Sequence, residues 1–120
     1  MILVDTAVWI DHLHSPVADL VRLLESNMVL THPWVVGEIA LGSIANRRQV
    51  LSLLNKLPSV TTARTEELHA LLNAHQLWSQ GLGWVDLGLL ASARLGHARL
   101  WTRDRQLAAC AERIGVEIHA

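Results

Sequence analysis

The sequence predicts a parallel α/β sheet covered by helices on both faces. Short apolar runs alternate with segments of helical periodicity from one end of the chain to the other. Several of the runs are continuously apolar, as in strands buried on both sides. The 120 residues fit one domain, large enough to bury roughly two-thirds of its unfolded surface.

Taken in order, Ile2-Leu3-Val4 reads as the first strand. Ser15-Pro16 starts a helix over Val17–Ser26, with Val17, Leu20, Val21 and Leu24 on one face. Met28-Val29-Leu30 is a second strand. His32-Pro33 opens a helix that Gly42-Ser43 closes. Asn46–Lys56 is helical and ends before Pro58, and the β-branched run Val60-Thr61-Thr62 reads as a third strand. A helix starts at Thr65-Glu66-Glu67 and runs to about Ser79; Gly81-Leu82-Gly83 is a loop; Val85–Leu95 is a helix. Arg99-Leu100-Trp101 forms a fourth strand, Arg105–Arg113 a helix, and Val116-Glu117-Ile118 an edge strand. There is no internal repeat and no low-complexity linker.

Composition excludes several classes. A hydrophobic content of 51% argues against disorder, and a formal net charge of −1 against a generically basic nucleic-acid binder. A polyanionic partner would have to be held by local arginines or through a metal; nine of the ten basic residues are Arg, which suits bidentate phosphate contacts. Cys110 is the only cysteine, so there is no internal disulfide framework. No apolar stretch approaches the ~18 residues of a membrane span. Met1 leads straight into a strand and not into a secretory apolar region, so a cytoplasmic location is expected.

Four acids stand in apolar segments. Asp5 follows Met1-Ile2-Leu3-Val4, Glu38 is the only charge in Trp34–Leu41, Asp86 the only charge in Leu82–Leu90, and Asp104 follows Leu100-Trp101-Thr102-Arg103. An acid buried in such surroundings is costly unless it is paired, hydrogen-bonded or bound to a metal. In open α/β sheets the ligand crevice lies beyond the carboxyl ends of the strands, where Asp5 and Asp104 fall. Clustered carboxylates repel one another. Oxygen-only ligands suit hard cations, Mg²⁺ or Mn²⁺, and such an ion can assist phosphodiester hydrolysis without a side-chain nucleophile.

The ordered set Met1-Ile2-Leu3-Val4-Asp5-Thr6, Glu38 in a helix ending at Gly42, Trp84-Val85-Asp86 and Trp101-Thr102-Arg103-Asp104 resembles the PIN-domain ribonucleases, and more closely the VapC toxins of bacterial toxin–antitoxin pairs. The likeness spans nearly the whole chain, taken as a single PIN-like domain over residues 1–120. It implies a three-layer α/β/α sandwich with a central parallel sheet. It also implies a metal-dependent endoribonuclease whose catalytic and metal-binding acids are Asp5, Glu38, Asp86 and the more variable Asp104. Thr6 and Thr102 match supporting hydroxyl positions. Implied partners are an RNA substrate, a second copy of the chain and a small cognate antitoxin. The antitoxin would plug the acidic cleft with a basic side chain and cover apolar surface near Trp9 and Trp34.

Each feature also has a plainer reading. Asp5 could cap a short helical turn over Thr6–His12, Asp86 could be a first-turn acid favoured by the helix dipole, and Asp104 could cap the last helix. Glu38, mid-helix, has no such explanation, and the four together favour a metal site. Asp11, His12 and His14 read as surface residues, and His69 and His75 do not share one helical face. Arg47, Arg48, Arg103 and Arg105 are candidates for RNA phosphate contacts, with solvated charge the alternative. A receiver domain is disfavoured because the third strand supplies no acceptor Asp and the only Lys, Lys56, precedes it. A PIN-domain nuclease of RNA processing and a non-catalytic PIN-like RNA- or protein-binding module are the remaining alternatives.

Overall fold

The structure is a computed structural model that describes all 120 residues. Three strands, β1 (Ile2–Val4), β2 (Val29–Leu30) and β3 (Arg99–Trp101), form a parallel sheet in the order β2-β1-β3. Seven helices surround it: α1 (Thr6–His14), α2 (Ala18–Glu25), α3 (Pro33–Leu41), α4 (Arg47–Leu54), α5 (Thr65–Ala74), α6 (Trp84–Leu95) and α7 (Arg105–Arg113). This is the three-layer α/β/α sandwich. Its central strand is the most apolar segment: Leu3 and Val4 are fully buried, and Leu3 pairs in register with Leu30 on one side and Leu100 on the other. Twenty-seven buried apolar residues make one continuous cluster around these strands.

Two expected strands shrink to single bridges. Next to β2, Thr31 pairs only with Ser59, through Thr31 N–H to Pro58 C=O and Val60 N–H to Thr31 C=O, both 2.9 Å. Beyond Val60 the chain leaves the sheet, and Ala63 N–H donates to Ser92 Oγ on α6 at 3.1 Å. Next to β3, Leu100 pairs with Ile118 alone. Gly115, at φ +82°, turns the chain into that bridge, and His119 then leaves it to meet α2. The helix expected to reach about Ser79 stops at Ala74, because Gln76 (φ 52°) and Ser79 (φ 58°) are left-handed. Leu77 had extended the apolar stripe, but it is buried from a turn.

The last residues are tied down. The His119 ring packs on Trp101 with centroids 4.8 Å apart, and its Nε2 lies 2.7 Å from Asp19 Oδ2. That contact, with Arg22 adding to it, holds the Asp19 carboxyl below its ordinary pKa. Thus β3 is braced on its outer side before it delivers Thr102 to the carboxyl edge.

Leu100 joins both halves of this arrangement, pairing with Leu3 and bridging Ile118. Leu100→Ala should lower the unfolding free energy by about 3 kcal/mol, within the 2–5 kcal/mol usual for a filled core site. Urea denaturation of the purified variant checks this.

Candidate metal centre

Asp5 is placed by the sheet. Its N–H donates to Trp101 C=O at 2.9 Å, which continues the β1–β3 ladder one residue past Val4. The side chain is then turned to the start of α1. Oδ1 accepts Thr6 N–H at 2.7 Å and Oδ2 accepts the Thr102 hydroxyl at 2.7 Å. Thr102 Oγ in turn accepts Asp104 N–H at 3.1 Å. The Thr6 hydroxyl donates to Glu38 Oε1 at 2.6 Å, so the residue after Asp5 reaches the acid on α3. Asp86, at the third position of α6, accepts Gly83 N–H at 2.9 Å and closes the helix start. Asp104 Oδ1 accepts Gln106 and Leu107 N–H at 2.9 and 3.2 Å and caps α7.

The plainer readings of Asp5, Asp86 and Asp104 as helix-start residues are therefore realised. Apolar neighbours in sequence did not mean burial for all four. Asp5 is 8% exposed and Asp86 half-buried, whereas Glu38 and Asp104 are exposed. Even an apolar helix keeps one open side, and Gly37 and Glu38 lie on that of α3.

Burial is the main force raising the Asp5 pKa above 3.8. The Thr102 and Thr6 hydrogen bonds oppose it, and the negative charges of Asp86 and Glu38 add to it. Asp86 and Glu38 thus each act electrostatically on Asp5; Asp104 is joined to Asp5 through Thr102. None of the four has a basic partner, whereas Asp11, Asp19, Glu66, Glu67 and Glu117 are each paired with Arg or His. An all-oxygen donor set with uncompensated charge fits Mg²⁺ or Mn²⁺ in chemistry. The side chains as they stand do not yet enclose an ion: no three acids meet around one point. Glu38 is drawn towards Thr6 and Asp86 towards Gly83, so both would have to turn inward to share a cation with Asp5.

Residues 2–113 match the sequence model of the PIN domain. The chain belongs to the PIN-domain family. It is also similar to Ribonuclease VapC32 of Mycobacterium tuberculosis, in strains CDC 1551 / Oshkosh and ATCC 25618 / H37Rv. The identity is 51% over 114 residues, covering 93% of this chain and 92% of the relative. Among PIN domains the chain is therefore of the VapC type.

The candidate basic residues of this PIN domain differ in availability. Arg103 pairs with Asp11 at 3.2 Å, and Arg47 donates to Ala40 C=O at 2.8 Å. Arg48 and Arg105 are exposed and have no acidic partner. His12 lies in α1 and not in a loop; its Nδ1 accepts Val17 N–H at 3.1 Å, and burial lowers its pKa.

Sequence reasoning passed over a buried polar group beside the site. His32, read only as a helix start, is wholly buried, and its Nε2 lies 3.2 Å from Ser92 Oγ, which is also wholly buried. The available signal was Ser92 itself, a lone hydroxyl in Leu89-Leu90-Ala91-Ser92-Ala93.

The raised Asp5 pKa has a stability consequence. Ionising Asp5 costs more in the folded chain than in the unfolded one. Stability is therefore greatest with the proton on and is lost as pH rises through the raised folded pKa. Without divalent cations, Asp5→Asn should melt at a higher temperature than the wild type at neutral pH. The difference should close as pH falls below the ordinary Asp value. Mg²⁺ or Mn²⁺ should raise the melting temperature of the wild type and leave that of the variant unchanged. Differential scanning calorimetry across pH, with and without the ion, checks both.

Proposed function

We infer that this PIN domain is a Mg²⁺- or Mn²⁺-dependent endoribonuclease toxin that hydrolyses RNA phosphodiester bonds in the cytoplasm and is neutralised by a small antitoxin. The observation that carries the chemistry is the set of acids Asp5, Glu38 and Asp86, the last two acting on Asp5 and none with a basic partner, in a chain whose other acids are mostly ion-paired. RNA as substrate is supported by the name ribonuclease carried by the M. tuberculosis relative. No helix is long and apolar enough to cross a membrane.

In this reading Asp5 is the central ligand, its orientation held by Thr6 N–H and the Thr102 hydroxyl. Glu38 and Asp86 are delivered from two different helices, and Asp104 adds charge at the rim while stiffening the Thr102 turn. A bound Mg²⁺ or Mn²⁺ would polarise a phosphoryl oxygen, activate a water as nucleophile and stabilise the leaving oxygen. Arg48 and Arg105 would hold flanking RNA phosphates, with Arg47 and Arg103 joining them once released from Ala40 and Asp11. Loss of one ligand carboxylate should cost at least about 100-fold in rate, or about 3 kcal/mol of barrier. Asp5→Asn should therefore remove nearly all cleavage of total RNA while retaining the wild-type circular dichroism, and EDTA should do the same to the wild type. Cleavage that survives both would remove Asp5 and the cation from the mechanism.

The antitoxin reading rests on a second feature. Trp9, Leu13, Leu24, Val50, Leu53 and Leu57 line an apolar groove of about 350 Å³ between α1, α2 and α4. Trp9 Nε1 is the one buried side-chain polar atom without a hydrogen-bond partner. A docked apolar segment would cover Leu53, which is exposed at this groove. Trp34, the other candidate from sequence, is half-buried, with its ring against Gly88. An Arg from the same segment could bridge two of the clustered carboxylates. Leu41 (90% exposed) and Trp78 (53% exposed) leave apolar surface for the homodimer we also propose. Co-expression with the neighbouring small gene should yield a stable complex containing two copies of this chain by light scattering, inactive with added Mg²⁺. A freely active enzyme that ignores the neighbour's product would favour a PIN nuclease of RNA processing.

A further inference from the structure

Glu38 and Asp86 lie on different helices, and no hydrogen bond links them. Glu38 is bonded to Thr6, and Asp86 to its own helix start. Their separation depends in part on where α3 meets α6. A buried contact joins the start of α3 to α6. His32 Nδ1 accepts Trp34 N–H at 3.0 Å, so the neutral ring carries its proton on Nε2, which donates to Ser92 Oγ at 3.2 Å. Burial keeps His32 in this neutral form by lowering its pKa. Ser92 Oγ also accepts Ala63 N–H, which ties the 61–64 segment to the same point.

One turn earlier on α6, Gly88 lies under the Trp34 ring. A Cβ there would overlap Trp34 Cζ3 and Cε3. Gly88 and Ser92 share a face of α6, and His32 and Trp34 open α3. Along the helix axes, Gly88 stands about 3 Å from Asp86, and Trp34 about 6 Å from Glu38.

We propose that Gly88 and Ser92 on α6, with His32 and Trp34 at the start of α3, are positioning residues of the divalent-cation site, helping to set the distance between Glu38 and Asp86. This rests on the metal-dependent reading above. An added methyl at Gly88 must push the Trp34 ring out to ordinary carbon contact, a displacement of roughly 1.5 Å. Mg²⁺ holds its ligands at about 2.0–2.1 Å in near-ideal geometry and tolerates little such error. Outer-shell changes of this kind typically cost 10–100-fold in metal affinity.

The test measures Mn²⁺ binding to the metal-free protein by electron paramagnetic resonance, beside thermal melting. Wild type and Asp5→Asn are the controls. Gly88→Ala should stay folded and bind Mn²⁺ about 10–100-fold more weakly. Gly88→Ala combined with Trp34→Leu, which removes the clashing ring, should recover most of that loss. A purely structural role predicts a lower melting temperature with Mn²⁺ affinity unchanged. That result in folded Gly88→Ala overturns the proposal, as does a folded double variant that regains no affinity. Where Gly88→Ala fails to fold, Ser92→Ala decides: weaker Mn²⁺ binding in the folded variant supports the proposal, and wild-type binding overturns it. A wild type that binds no Mn²⁺ overturns the metal reading itself, and the proposal with it. That outcome is distinct from an intact site insensitive to Gly88.

Discussion

The backbone hydrogen bond from Asp5 N–H to Trp101 C=O is the contact on which the arrangement depends. It extends the parallel ladder one residue beyond the apolar strand, so a carboxylate sits where the sheet ends and its burial begins to fail. The same bond fixes Thr102 beside Asp5, because Thr102 follows Trp101. The Thr102 hydroxyl then links Asp5 to the turn that caps α7, and the Thr6 hydroxyl links the start of α1 to α3. One ladder bond thereby connects the starts of α1 and α7 and the side of α3.

Much of this was legible in the sequence because the strongest signals are local. The continuous apolar run Ile2–Val4 became β1 and the segment Arg99–Trp101 became β3, and Arg105–Arg113 is α7 as read. Where the reading went astray, a tertiary contact decided the outcome. Val60-Thr61-Thr62 has the composition of a strand, but its continuation is captured by Ser92. The apolar stripe through Leu77 and Trp78 continues in number but not in conformation, since Gln76 and Ser79 are left-handed. The order of the four acids pointed to the PIN-domain family, while their burial could not be read from it. Glu38 seemed the most enclosed of the four and is exposed, because the open side of α3 is defined only by what packs on its others. The His32–Ser92 pair was invisible for a similar reason: sixty residues separate its members.

The helix-start role of the acids and their electrostatic clustering are two uses of the same atoms. A carboxylate that caps a helix is oriented by backbone N–H groups, which are rigid donors and need no further side chain to hold them. Asp5, Asp86 and Asp104 each use part of their acceptor capacity in this way. The second oxygens of Asp86 and Asp104 accept no hydrogen bond from the protein. The orientation of the acids is thus built into the secondary structure, while their charge remains available.

The five tryptophans, in a chain without Phe or Tyr, give this arrangement an optical consequence. Trp9 lines the apolar groove, Trp34 lies on Gly88, Trp84 stands two residues before Asp86, and Trp101 ends the strand that accepts the Asp5 amide. Only Trp78 sits apart, exposed in the turn after α5. With no other strong near-ultraviolet chromophore, the intrinsic emission of this chain is weighted towards the acidic edge and its neighbouring groove. A change in that emission is a local report on the carboxylates and their surroundings, where in most proteins it would be an average over the whole fold.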